Sequence, residues 1–240
     1  MKVEQIDQVN FEKKINYIFE KESFIVSKKT KALINEVLEN SIKVKFIINI
    51  IVDRIYLKQN NPNILDGFIY QKIVNEGNNE SKKELIQYFP NGLMSIKTNT
   101  NINYKVLENL LVNQTFQEAD KITQEYLCKL VSNQTKQEKK WLYFTDIQFL
   151  SQKDLYTIDL LWRIYSQGKF GFSVQKKLWI KSETKWDDLW EKIKWTNNGV
   201  ITRYPTEFIW TIDAPEGHLP LFNQLRGTQT LACLFKKIEW

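Results

Sequence analysis

Between Asp154 and Gln175 the chain reads DLYTIDLLWRIYSQGKFGFSVQ, and its apolar residues leave little choice of fold. Leu155, Ile158, Leu161, Trp162 and Tyr165 recur at helical spacing, so a helix here carries one aliphatic and aromatic face that must be buried. Asp154 can cap or complement its positive N-terminal end. Gly168 supplies a left-handed exit. The spacing then predicts a second helix over Phe170–Ile180, and Thr184 as the cap of a third over Trp186–Ile193.

The same periodicity extends through the chain. Phe11, Ile15, Ile18 and Phe19 predict a first helix, Leu33, Ile34, Val37 and Leu38 a second, and Ile42–Leu57 a third. Pro62 and Gly77 bound a fourth, and Ser81 with Glu84 has capping-box spacing for a fifth over Lys82–Phe89. Five short helices with brief connections predict an antiparallel bundle over residues 1–98. Pro90–Asn103, with its Pro-Asn-Gly turn and alternating Asn and Thr, reads as a linker to a second domain, 103–240. There, apolar residues from Leu107 to Leu130 predict two helices, Ser132–Lys140 a polar loop, and Thr228–Ile238 a closing helix. Periodicity fails from Lys194 to Arg226, and loops of about thirty residues in compact domains usually carry function. The predicted class is all-α.

Composition narrows the function. All eight tryptophans lie between Trp141 and Trp240. The net charge of +6 is dispersed: fifteen Lys and Arg against twelve acids before residue 100, nineteen against sixteen after it. A nucleic-acid binder gathers such charge on one face or tail, so nucleic acid is not an expected partner. The longest apolar run, Phe46–Val52, is too short to span a bilayer, and the start, MKVEQIDQ, resembles neither a signal nor a transit peptide. Cys128 and Cys233 sit in apolar helical patterns, as reduced thiols do.

No catalytic constellation is visible. A single histidine, His218, leaves no basis for histidine-based metal sites or triads; it reads as a turn residue or, alternatively, an axial ligand. GKFGF (Gly168–Phe172) follows a helix and lacks the Lys-Ser/Thr ending of a phosphate loop. Asp154 and Asp159 fall on different helix faces, which suits capping rather than acid–base pairing. Around the long loop, Trp195, Tyr204, Phe208 and Trp210 mingle with Lys192, Lys194, Arg203 and Arg226. This mixture suits a flat apolar ligand bearing carboxylates; ordinary core packing is the other reading.

Five ordered motifs then carry a resemblance. FQEAD (116–120) with Thr123, DLYTIDLLW (154–162), SQGKFGFSVQ (166–175), TRYPTEF (202–208) and APEGHLP (214–220) resemble the genomes-uncoupled-four family over about residues 103–240. The resemblance implies a helical core like a cupped hand, whose palm takes protoporphyrin IX and Mg-protoporphyrin IX as ligands, with no prosthetic group and no catalysis of its own. It implies stimulation of magnesium chelatase through that enzyme's large porphyrin-binding subunit, in chlorophyll biosynthesis. Peripheral membrane association is left open. By motif, Tyr204 and Phe208 line the palm, Leu219 follows in the HLP turn, and Phe172 forms an apolar wall. Asn223 is expected to make a polar contact and Arg226 to hold a propionate.

Two departures stand out. Gly199–Ile201 occupies the place of an aromatic before TRYP, and Leu150–Ser151 replaces Phe-Pro before DL. The first weakens the expected ligand contact; the second alters only how the helix begins. A helical adaptor of the same fold, using the palm for protein partners, is the rival reading. A Lys-, Ile- and Asn-rich chain without a transit peptide fits synthesis inside an algal plastid, with a cyanobacterial cytoplasm as the alternative.

Overall fold

The computed structural model describes residues 2–21, 26–94, 102–221 and 228–240, with side chains from residue 9 onward. Its described residues are helical apart from loops and one two-stranded ribbon, as the periodicity predicts. The chain divides into two compact units, Met1–Ser95 and Ile96–Trp240.

The first unit holds α1 (Lys2–Glu20), α2 (Lys28–Leu38), α3 (Ser41–Val52), α4 (Ile64–Glu76) and α5 (Asn79–Tyr88). Its core gathers Phe11, Ile15 and Phe19 with Ile34, Val37, Ile47, Ile48, Ile51, Phe68, Ile73 and Leu85. The short amides set the boundaries. Asn40 accepts from the Ile42 and Lys43 N–H groups, and Asn63 forms a reciprocal capping box with Asp66. The third predicted helix ends earlier than its apolar run: α3 stops at Val52 and Asp53–Leu57 widens into a π turn. That turn brings Arg54 within 3.4 Å of Asp66, whose carboxyl is fully buried and pushed above its usual range by desolvation. The fifth helix starts at Asn79, not Lys82, because Asn78 rather than Ser81 is the cap: its side chain accepts the Ser81 N–H at 2.8 Å.

The second unit is built around α8 (Gln152–Tyr165), which follows α6 (Tyr104–Val112), α7 (Phe116–Thr135) and a 3-10 turn at Phe144–Phe149. All five predicted face residues of α8 are fully buried, and so are Asp159 and Ile164 on its other side. The helix is therefore enclosed all round rather than lying on a surface. Burying each large apolar side chain is worth about 1.5–3 kcal/mol. The α8 cap is Ser151, which accepts the Asp154 N–H at 3.0 Å; the departure from Phe-Pro thus supplies the start of this helix. Asp154 instead reaches across to the Tyr104 hydroxyl at 2.7 Å, and Tyr165 donates to Glu108 at 2.5 Å, both tying α8 to α6.

Beyond it come α9 (Phe172–Lys181), α10 (Trp186–Lys192), β1 (Thr196–Asn197), β2 (Val200–Ile201) and α11 (Thr228–Lys237). Thr184 does not cap α10. It has a positive φ of 63°, and Lys185 stands at the cap position without a side-chain bond. The long loop is not wholly irregular: β1 and β2 pair antiparallel, Thr196 opposite Ile201 and Asn197 opposite Val200, around an Asn198–Gly199 turn.

Candidate functional site

A buried carboxylate on α8 organises the start of α9. Asp159 accepts the Ser173 backbone N–H at 2.8 Å, the Ser173 hydroxyl at 2.7 Å and the Trp240 indole N–H at 2.9 Å, with the Arg163 guanidinium 3.1 Å away. It thus caps a neighbouring helix. Gly171 is required beside it: its φ is +133°, and a Cβ there would lie 2.8 Å from Asp159 Oδ1.

This turn anchors the far end of the long loop. The Gly171 N–H donates to Leu219 O at 3.0 Å, and the Gly217 N–H donates to Lys169 O at 2.8 Å. From α9, the buried Gln175 amide donates to the Gly217 and Pro220 carbonyls at 3.0 and 2.8 Å. From α7, Asp120 accepts the Leu221 N–H at 2.7 Å, while the Gln124 amide donates to the Leu221 carbonyl. The Leu219–Pro220 and Tyr204–Pro205 peptides are cis.

His218 sits where this frame meets the exposed part of the loop. Its Nε2 accepts the Ile209 N–H at 3.0 Å, so Nδ1 carries the proton and donates to Ile193 O at 2.6 Å. Both nitrogens are committed to backbone, which settles the two readings of this residue in favour of a turn histidine. Burial lowers its pKa, partly opposed by the Ile193 carbonyl. Because the folded value lies below the ordinary 6.5, the stability His218 contributes is complete above pH 6.5 and is lost as pH falls through the folded value. The fold of wild type should therefore lose stability relative to His218→Gln between pH 6.5 and 5, as read from paired urea titrations; an equal slope in both proteins contradicts this role.

The Phe208 ring packs 5.4 Å from His218, 6.0 Å from Trp210 and 6.4 Å from Tyr204. Trp210 donates to Pro205 O at 2.9 Å, and the Arg203 N–H donates to Glu207 at 2.7 Å, which holds the TRYPTEF turn closed. Behind this cluster, buried Trp195 donates to His218 O and begins a stack through Trp190, Trp186 and Trp179 at centroid spacings of 5.1, 5.2 and 4.8 Å. Val200, Ile201, Tyr204 and Ile209 are exposed, interspersed with exposed Arg203, Thr206 and Glu207. Desolvation raises the Tyr204 pKa, with smaller contributions from Asp120 and Glu118 of α7.

The structure thus brings Tyr204 and Phe208 together, with Tyr204 open and Phe208 buried behind it. Phe172 and Leu219 are completely buried, so they back the turn rather than meet solvent. Asn223 and Arg226 lie outside the described residues. Asp120, Gln124, Asp159 and Gln175 are the residues that sequence reasoning left without a role in the loop. Their signal is a polar residue inside an apolar helical stripe, as in Ile158-Asp159-Leu160 and Val174-Gln175. Among the described residues no three His, Cys, Asp or Glu side chains gather as a metal site. A separate open cleft of about 410 Å³, lined by Lys181, Lys185, Asp188 and Lys192 among others, has charged rather than apolar walls. No described helix is long and apolar enough to cross a membrane.

A family model described as GUN4-like matches residues 97–238. The chain is 46% identical over 178 residues to the protein ycf53 of Porphyra purpurea, covering 74% of each. It is 38% identical over 140 residues to the chloroplastic tetrapyrrole-binding protein of Arabidopsis thaliana, covering 55% of this chain and 52% of that one. Among solved structures, GUN4 from Chlamydomonas reinhardtii superposes with a TM-score of 0.55 at 37% identity, over 60% of this chain and 91% of its own.

Proposed function

The chain belongs to the GUN4-like family, and from that premise we propose that its core binds a tetrapyrrole and acts as a regulator rather than an enzyme, in a plastid or a cyanobacterium. The ligands are protoporphyrin IX and Mg-protoporphyrin IX, and the regulated enzyme is magnesium chelatase. The observation that carries this reading is the loop 200–210: Ile201, Tyr204 and Ile209 expose apolar side chains, and Tyr204 packs against Phe208 and Trp210, with His218 beside Phe208. A porphyrin face laid on such a surface gains about 25 cal/mol for each Å² of apolar area removed from water. A loop already braced by hydrogen bonds loses little freedom on binding, so more of that gain survives as affinity.

Tyr204 and Phe208 supply the aromatic wall, and Phe172 and Leu219 support it from within the core. Arg226 pairs with a ligand propionate and Asn223 makes a polar contact. Replacing Arg226 with Ala should weaken porphyrin binding by about 1.5–3 kcal/mol, the range for a charge-assisted hydrogen bond. That corresponds to a Kd roughly tenfold to a hundredfold higher by absorbance titration; an unchanged Kd removes Arg226 from the site.

The chelatase arm is tested by its own assay. Adding the full chain to magnesium chelatase at limiting protoporphyrin should raise the initial rate of magnesium insertion, and the Arg226→Ala variant should raise it less. Equal rates with and without the chain contradict the regulatory role. The exposed Val200–Ile201 tip also suits a protein partner; capture of the chelatase large subunit by a chain that binds no porphyrin would favour that adaptor reading.

A further inference from the structure

The base and the tip of the β1–β2 ribbon are held in different ways. At the base, Trp195 is buried, stacked on Trp190 at 5.1 Å, and donates its indole N–H to His218 O at 2.8 Å. Its backbone carbonyl accepts the Thr202 N–H at 3.0 Å, so both ends of the ribbon meet the core at one point. The tip has no such packing. Gly199 is exposed, with a φ of +77°, and a Cβ there would meet nothing within 4 Å. Val200 is 69% exposed and Ile201 53%. A two-stranded ribbon this short is at best marginally stable by itself.

Among the described residues, one side chain hydrogen-bonds the tip from outside the ribbon. Glu191, half-buried on α10, accepts the Gly199 N–H at 2.9 Å and the Thr196 hydroxyl at 3.2 Å through the same oxygen, Oε1. Thr196 belongs to β1 and Gly199 to the turn, so this carboxylate ties the ribbon to the helix. A carboxylate bond to a backbone N–H is charge-assisted and stronger than a neutral one. At the far end of the exposed stretch, His218 Nε2 accepts the Ile209 N–H at 3.0 Å. The stretch between Gly199 and Ile209 is thus flanked by two side-chain acceptors, one in the core and one on a helix. The packing of α10 itself rests on Leu189 and Ile193, both completely buried, and not on Glu191.

We propose that Glu191 is a positioning residue of the tetrapyrrole site: it fixes the ribbon that carries Val200 and Ile201, and so sets the entry to the aromatic loop before a ligand arrives. This rests on the tetrapyrrole reading given above. The gain is preorganisation, because a tip tethered in the free protein has less freedom to lose on binding. The charge of Glu191 works against a ligand that bears carboxylates, since like charges repel. Its contribution is therefore the acceptor oxygen, which the neutral amide of Gln also presents.

The test compares wild type, Glu191→Ala and Glu191→Gln as full chains. Amide hydrogen exchange followed by NMR reads the tether without ligand. Absorbance titration with deuteroporphyrin IX, a water-soluble dicarboxylate porphyrin, reads the site. In Glu191→Ala the Gly199 amide should exchange about tenfold faster, and the Kd should rise by about threefold to tenfold. Its denaturation midpoint should stay at the wild-type value. Glu191→Gln should restore both the Gly199 protection and a Kd at or below that of wild type. An unchanged Kd or unchanged Gly199 exchange in Glu191→Ala overturns the inference and, with wild type still binding, leaves the tetrapyrrole reading intact. So does a Glu191→Gln variant that binds as weakly as Glu191→Ala. A midpoint that falls together with affinity also overturns it, because Glu191 would then hold the fold and not the ribbon. Absence of binding by wild type overturns both.

Discussion

Replacing Asp159 with Ala should cost the core about 3–5 kcal/mol, the range for removing one partner of a buried charge network. The loss has named parts. The Ser173 N–H and hydroxyl and the Trp240 indole N–H all donate to this carboxylate, and the Arg163 guanidinium would be left beside an empty pocket. Each stranded donor costs about 1–3 kcal/mol where water cannot reach it. The carboxylate also caps α9, so the first turn of that helix and the Gly171–Leu219 bond it supports should fray together. Chemical denaturation read by tryptophan fluorescence will follow this unit alone, because all eight tryptophans lie between Trp141 and Trp240. A midpoint within 0.5 kcal/mol of wild type, about the effect of a neutral surface change, would contradict the role assigned to Asp159.

The second large effect is expected at Trp162. Its ring is fully buried, stacked on Phe116 at 6.0 Å and edge-on to Phe170 at 6.4 Å. Trp162→Ala should lose about 3–5 kcal/mol through transfer and cavity terms. The indole N–H donates to Thr123 Oγ at 3.0 Å, but that hydroxyl also donates to Ala119 O at 2.8 Å. Thr123 therefore stays bonded after the substitution, and the loss should be one of packing. Trp162→Phe should accordingly recover more than half of it in the same denaturation experiment. Equal losses for Ala and Phe would show that the hydrogen bond, not the ring volume, dominates.

Much of this framework was legible because helical period is a strong signal. The five face residues of α8 are all buried. What escaped was set by contacts that sequence spacing does not encode. Asp159 reads as a local cap, yet its partners are Ser173 and Trp240, far along the chain. Asp120 has no assigned role until α7 is laid against Leu221. Thr184 has the chemistry of a cap but a left-handed backbone that removes it from the position. The β1–β2 ribbon had a signal in Asn198–Gly199, obscured by strands of only two residues each. The family motifs lie within residues 97–238, which the family model matches, and concentrate where α7, α8, α9 and the loop interlock.

The central claim is that this interlock displays a tetrapyrrole-binding face. The most direct measurement is a titration of the full chain with deuteroporphyrin IX, following tryptophan emission and the porphyrin Soret band together. Trp195 and Trp210 stand within the loop's support. A bound porphyrin should quench much of the emission and shift the Soret band, both saturating at one ligand per chain. Unchanged emission and an unshifted Soret band at micromolar protein would contradict the account.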